Sequence, residues 1–435
     1  MTSTLIRARE AQMRSSIEHM SDQTMRITPL TAVTPIHPGW TSFQRFVLEV
    51  LPHTRWGRGQ ELVDLSFIHS ARWSLVTSLP TPDGGRARSA YDYLLFESNF
   101  NGGFGPYIEA FADILTPKIR AIWNSSIGFP NLPQDGDLPV RRRLRRPIPG
   151  AAFVDYVRAA DLGADHYYSA YPEATVKDII AGLAADEAVD DLRRLAVAPE
   201  SPAARVAFAT RLDDVLSGRD ATPRLARQPE AAHGDVCAAT CAFTSLTPIV
   251  PGQEGTLRRL LAGMGDATTS PFSAAPGVHF ARWLVIDSPT HQPGQARDSW
   301  PCSYLLTSTT SDGISDPLEV LYRHLGREVV DAVWGRCVGH PAGDGSAAFV
   351  GYQRRHRLRT NRLFSGYPHA SVEEVLSGLR TRRGLQSLAT EYAGGDSEEA
   401  RRAFRGRFGR PRAGAVRPPG AGGSCPLDGE QEVKK

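Results

Sequence analysis

The 435-residue chain contains no apolar run long enough to cross a bilayer. Its first 26 residues, Met1 to Arg26, mix Arg, Glu, Ser and Gln without the apolar core of a secretory signal. A cytoplasmic location with no membrane partner is the expectation. Lysine is nearly missing: Lys118, Lys177, Lys434 and Lys435 are the only ones among 50 basic residues. The charge is almost wholly arginine, and 47 acidic residues bring the net to +3, which gives no argument for a nucleic-acid partner. Arg141–Arg146, Arg354–Arg362 and Arg401–Arg412 are local basic clusters that could meet phosphates, with solvated charge the default for the first and last, which lie in an insertion and a tail. Five scattered cysteines, an odd number, do not suggest a disulfide framework, so reduced thiols are expected. Cys237 and Cys241 lack the spacing of a zinc knuckle and no paired histidines accompany them, so no metal site is expected. No Gly-x-Ser-x-Gly occurs, and the Gly102–Gly105 run lacks the Lys-Ser/Thr of a phosphate loop.

What the chain does have is self-similarity. LTAVTPIHPG (Leu30–Gly39) returns as FTSLTPIVPG (Phe243–Gly252), and FIHSARWSLV (Phe67–Val76) as GVHFARWLVI (Gly277–Ile286). YLLFESNFNG (Tyr93–Gly102) returns as YLLTSTTSDG (Tyr304–Gly313). Trp123 and Trp334 each precede a Gly-x-Pro by five residues. AAFVDY (Ala151–Tyr156) matches AAFVGY (Ala347–Tyr352), and YSAYPEATV (Tyr168–Val176) matches FSGYPHASV (Phe364–Val372). The offset between copies is 210–213 residues, falling to 196 for the last two blocks, because the first copy carries an insertion at Asn131–Gly150. Six blocks in one order read as an internal duplication.

Each copy shows a short β-run, a helical stretch, two strands, a long helix (Pro106–Trp123 or Pro317–Trp334), a shorter helix, a fourth strand and a closing helix. In Leu65–Leu75 the odd positions are mostly apolar and Ser66, Ser70, Arg72 and Ser74 are polar, the period of a strand with one dry face. Without the extra helix the order is β-α-β-β-α-β, which is ferredoxin-like. An α+β fold of two tandem ferredoxin-like repeats packed as a fused α+β barrel follows, since each open sheet needs a cover. The expected organisation is an N-terminal extension 1–26, repeat one 27–198, a linker with a helix 199–239, repeat two 240–392 and a disordered tail 393–435. In this element order the chain resembles the dimeric α+β barrel superfamily, which includes the antibiotic-biosynthesis monooxygenases, chlorite dismutases and dye-decolourising peroxidases.

The matched His-x-x-Arg-Trp marks the candidate catalytic residues: His69 and Arg72 in copy one, His279 and Arg282 in copy two. Strand alternation places His and Trp on one face and Arg on the other. The competing reading makes His and Trp core residues and pairs each Arg with an acid on the next strand. Glu97 stands ready in copy one, whereas copy two has Ser308. The Tyr-Pro blocks put Tyr171 and Tyr367 after the fourth strands, where they could hydrogen-bond a ligand or serve as edge residues. The resemblance implies a small apolar or aromatic ligand and, in some members, heme. His324, Trp283, Tyr171 and Tyr367 are then the cofactor-binding candidates, with His279, His356 and His369 as further axial choices. The peroxidases' Gly-x-x-Asp-Gly signature does not occur, and Asp113 stands where His324 would have its counterpart.

The leading expectation is a small-molecule-binding protein, with monooxygenase or peroxidase-like oxidoreductase chemistry as its catalytic form. The alternative is a non-catalytic binding or assembly module, with an oligomer among its partners.

Overall fold

The computed structural model describes residues 27–50, 66–132, 138–218, 234–266, 268–289, 291–313, 316–392 and 397–409. The extension 1–26 and the tail beyond residue 409 lie outside the described residues. The first half contains β1 (Ile27–Pro35), α1 (Thr41–Glu49), β2 (Ile68–Val76), β3 (Tyr93–Asn101), α2 (Phe104–Ile114), α3 (Thr116–Trp123), α4 (Gly150–Ala160), β4 (His166–Ser169) and α5 (Val176–Val197). Helix α6 (Pro202–Leu216) follows. The second half contains β5 (Thr240–Pro248), α7 (Glu254–Ala262), β6 (Val278–Ile286), β7 (Tyr304–Asp312), α8 (Pro317–Trp334), α9 (Ser346–Arg355), β8 (Arg362–Ser365) and α10 (Val372–Glu391).

The fold is α+β with antiparallel sheets, ordered β1-β3-β2-β8 and β4-β6-β7-β5, with Val236–Cys237 added beside β5. Each sheet takes its short strand from the other half of the chain. β4 pairs with β6 of the second half, His166 opposite Trp283, and β8 pairs with β2 of the first half, Arg362 opposite Trp73. The expected closed barrel is not formed. β4 and β8 are only four residues long, and on their other side the chain meets the neighbouring sheet through single bridges, Ala32 to Asp161 and Ser245 to Arg357.

Each sheet buries both faces. One face packs on helices: Trp73, Phe96 and Leu30 on α2, α3 and α4 in the first half, and Trp283, Leu305 and Val285 on α7, α8 and α9 in the second. The other face meets the opposite sheet, where Val33, Val76, Tyr93 and Leu95 contact Leu246, Leu284, Tyr304 and Leu306. The long helix expected over Pro106–Trp123 is broken at Leu115. At the matching place in α8, Gly326 takes φ 76°, a left-handed conformation that glycine adopts without a Cβ clash.

Helices α5 and α10 cross at Gly182 and Gly378. A Cβ on either would come within 2.8 Å of the other's backbone, so only glycine permits this approach. Both helices start with a capping box, Thr175 with Asp178 and Ser371 with Glu374. They plug one end of the space between the sheets through Val176, Ile179, Ile180, Val375 and Leu379.

The tail expected to be disordered from residue 393 contains a helix, α11 (Ser397–Phe408). Its charged sequence concealed a buried side: Phe404 packs on Phe208 at 5.4 Å, and Arg401 donates to the carbonyls of Leu195, Ala196 and Ala198 at the end of α5. No helix among the described residues is long and apolar enough to cross a membrane.

Candidate functional site

Strand alternation misplaces the histidines. The register between β2 and β3 shifts between Ile68 and Ser70, leaving His69 as the extra residue of a β-bulge. In β6 the partners jump from Phe280 to Val278, so His279 is the extra residue there. A bulge adds one residue and inverts the face phase beyond it. His69 therefore does not share an environment with Trp73. Trp73 lies under the helices on Phe96, while His69 touches Tyr171, Phe280 and Tyr367. The expectation of His and Trp on one face is corrected on this account.

The structure brings His69, Tyr367, Tyr171 and His279 into one chain between the sheets and the α5–α10 plug. His69 Nδ1 lies 2.9 Å from the Tyr367 hydroxyl, which donates to the Tyr171 hydroxyl at 3.1 Å. Tyr171 in turn meets His279 Nδ1 at 2.5 Å. His279 Nε2 faces Asp312 Oδ1 at 2.9 Å, an ion-pair contact without hydrogen-bond alignment. Because each short strand pairs with the sheet of the other half, Tyr171 of the first half sits on His279 of the second, and Tyr367 of the second on His69 of the first.

The two ends of the chain differ. Asp312 closes the His279 end, and Asn101 stands at the matching place beside His69. Both also tie down a helix start: Asn101 Oδ1 accepts from Val176 N at 3.0 Å and Asp312 Oδ1 from Val372 N at 3.2 Å. Burial lowers the His69 pKa to about 3, against the smaller opposing effects of Asn101 and Asp178, so this imidazole is neutral. Burial also pushes both phenols well above their ordinary range.

Deeper in the same layer, Arg72 and Arg282 reach across in opposite senses. Arg72 donates to Phe243 O and Thr244 Oγ1 on β5, and to Thr309 O and Thr310 Oγ1 on β7, at 2.9–3.1 Å. Arg282 donates to Leu30 O and Thr31 Oγ1 on β1, and to Ser98 O and Asn99 Oδ1 on β3, at 2.5–3.2 Å. Glu97 lies between them, 3.3 Å from Arg72 Nε and 3.7 Å from Arg282 Nε. All three side chains are almost fully buried. Desolvation lowers the Arg72 pKa, against the favourable charge of Glu97. The acid foreseen for Arg72 is present, and the same carboxylate also serves the arginine of the other half.

The remaining candidates lie elsewhere. Trp283 packs in the second half's helix-facing core on Phe272 and Trp334, and His324 is half-buried on α8. Of the other axial choices, His356 Nδ1 meets the Tyr352 carbonyl at 2.9 Å. A small apolar pocket lies under the first sheet, lined by Ala32, Thr34, Phe96, Ile108, Phe111, Trp123, Phe153 and Val157. Its lining contains no histidine, and His279 has both ring nitrogens beside protein groups, Tyr171 and Asp312. No group of three or more His, Cys, Asp or Glu able to hold a metal ion occurs among the described residues. Cys237, Cys302 and Cys337 are free, while Cys241 is disulfide-bonded, so the expectation of uniformly reduced thiols fails there.

Sequence reasoning overlooked Asn101 and Asp312, although the signal was present: each ends a matched strand immediately before Gly102 or Gly313. No protein-family model and no curated protein matches the chain.

Proposed function

We propose that the protein is a non-catalytic binding or assembly module, a duplicated ferredoxin-like scaffold fused through exchange of its fourth strands. One observation carries this reading. His69, His279, Arg72, Arg282, Tyr171 and Tyr367, the polar groups that would make a catalytic or ligand site, each have a partner on the opposite half, while Nε2 of the two histidines makes no hydrogen bond. A guanidinium with four hydrogen bonds to protein and a carboxylate beside it has nothing left to offer a substrate.

The test replaces His69 and His279 by Phe and compares thermal stability and native mass with the parent protein. The module reading expects a lower melting temperature and no change in any bound small molecule. Loss of a co-purifying ligand with stability retained would overturn it. An outward apolar stripe supports assembly with a second copy of the chain. Trp40, Phe43, Phe46 and Val50 around α1 are each close to half exposed. Gln253, Thr256, Arg259 and Gly263 stand at the matching places around α7. Serine at Trp40, Phe43 and Phe46 is expected to shift the light-scattering mass towards monomer.

The small-molecule reading keeps one supporting observation, the apolar pocket beneath Phe96. Hemin titration of the purified protein separates its oxidoreductase branch, because a saturable Soret shift at one equivalent is not expected from the residues described above.

A further inference from the structure

We infer that the surfaces joining the two halves are coded by charge, so that the first half accepts the second while the second rejects a copy of itself. The register gives direct equivalence across the seam: Glu97 is the cross-strand partner of Arg72, and Ser308 is that of Arg282. In the chain as it stands, two buried guanidiniums share one buried carboxylate. A second half facing its own copy would bring together two Arg282 side chains with Ser308 at both carboxylate positions. Two desolvated cations without a counter-charge oppose such a pair strongly.

The first half is protected at a different place. Asp178 on α5 pairs with Arg382 on α10; burial raises the Asp178 pKa, and the Thr175 cap together with Arg382 more than offsets that, leaving it below the ordinary carboxylate value. Arg382 stands eleven residues after its helix cap Ser371, and the residue eleven after Thr175 is Asp186. A first half facing its own copy would therefore set Asp178 against Asp186. In the actual pair Asp186 accepts from Thr381 Oγ1 at 2.6 Å and from Ser377 Oγ at 3.3 Å. The first half has Ala185 and Ala181 at those places. At the helix seam the second half is not opposed in this way, because Glu374 at the place of Asp178 would face Arg382 of the copy. Its self-pairing is opposed in the sheet seam, where a surface with one buried carboxylate for two guanidiniums is the partner that it fits.

The experiment begins with the folded full chain carrying a protease site inserted between Arg219 and His233. After cleavage the two fragments are expected to co-elute as a 1:1 complex. When the nicked complex is unfolded in urea and refolded, mixed pairs should exceed self-pairs of the second fragment by on the order of 100-fold or more. The same treatment of Ser308→Glu supplies the missing carboxylates, and self-pairs of the second fragment should then appear. Self-pairs at statistical abundance in the parent sequence, or separation of the fragments on cleavage, would overturn the inference.

A second measurement decides if the nicked chain does not refold. In the uncut protein Glu97→Ser should lower the melting temperature, and adding Ser308→Glu should restore most of the loss by moving the carboxylate to the other half. Failure of that transposition to rescue would also sink the idea.

Discussion

In the first half, Ala32, Phe96 and Trp73 stand in one row across β1, β3 and β2, on the face beneath the helices. In the second half the same row reads Ser245, Thr307 and Trp283 across β5, β7 and β6. The first row is closed by aromatic contact, with Phe96 lying 5.0 Å from Trp73 and 5.2 Å from Trp123 between ring centres. The second is polar. Gln353 replaces Val157 and accepts from Ser245 at 2.8 Å, while Thr307 Oγ1, Gln353 Nε2 and Trp334 Nε1 are buried without a hydrogen-bond partner among the described residues. Two halves with matched strands thus hold their helices by different means, one by packing and one by buried polar contacts that are incompletely met. An unmet buried donor or acceptor costs about 1–3 kcal/mol; the first layer also has them, at Trp73 Nε1 and the Tyr156 hydroxyl.

Truncation should expose that difference most plainly. Phe96→Ala removes a ring at the centre of a packed aromatic cluster and should cost about 3–5 kcal/mol in urea unfolding. Thr307→Ala removes a small side chain whose hydroxyl makes no bond, and should cost far less. Equal losses at the two positions would show that the layers contribute alike.

The histidines offer a second contrast. The imidazole of His69, beside Asn101, is held neutral, with a folded-state pKa of about 3 against an ordinary 6.5. Between these values the unfolded chain binds more protons than the folded one, so stability rises with pH there. The contribution of His69 is complete above pH 6.5 and is lost as the pH falls towards 3. Its polar and charged neighbours are Asn101, Asp178, Tyr367 and His279. Asp178 is held below the ordinary carboxylate value, so the slope is best read between about pH 4.5 and 6.5, where roughly 2–3 kcal/mol should be lost. His69→Gln should flatten that slope. An unchanged profile would show that the imidazole titrates alike in the folded and unfolded chains.

At the helix crossing the halves behave alike, and the expected effect is smaller. Gly378→Ala puts a Cβ 2.6 Å from the Gly182 carbonyl carbon, well inside van der Waals contact. Forcing the helices apart should cost about 1–3 kcal/mol, and Gly182→Ala should match it within error. A large disparity would mean that the crossing is less symmetric than its geometry.

Much of this could be seen in the sequence, because matched blocks report local geometry. LTAVTPIHPG and FTSLTPIVPG form β1 and β5, and YLLFESNFNG and YLLTSTTSDG form β3 and β7. The pairing of Arg72 with Glu97 could also be anticipated, since it is a cross-strand neighbour relation. The pairing of each short strand with the other half's sheet could not. β4 and β8 each have a buried pattern that suits either sheet, and the choice of partner is a long-range matter that leaves no local mark. The bulges at His69 and His279 were hidden for a related reason. Alternation counts residues, and one extra residue transfers a side chain to the other face without changing the composition. Helix α11 was concealed because only Arg401, Phe404 and a few neighbours carry its buried side, in a segment dominated by charge.

Thr307 provides the finest probe of the contrast between the layers. Valine has nearly the shape of threonine, so Thr307→Val preserves packing against Trp283 while deleting a hydroxyl that no protein group meets. If that hydroxyl is truly unsatisfied, the folded state loses nothing and is relieved of a desolvated oxygen, and the protein should gain about 1 kcal/mol. If instead an ordered water links it to Gln353 Nε2, the substitution breaks a bonded network, and stability should fall by a similar amount. The sign of one small change in urea midpoint, measured at constant m-value, therefore separates a dry polar layer from a hydrated one. Phe96 leaves no such choice in the first half, because its ring fills the corresponding position.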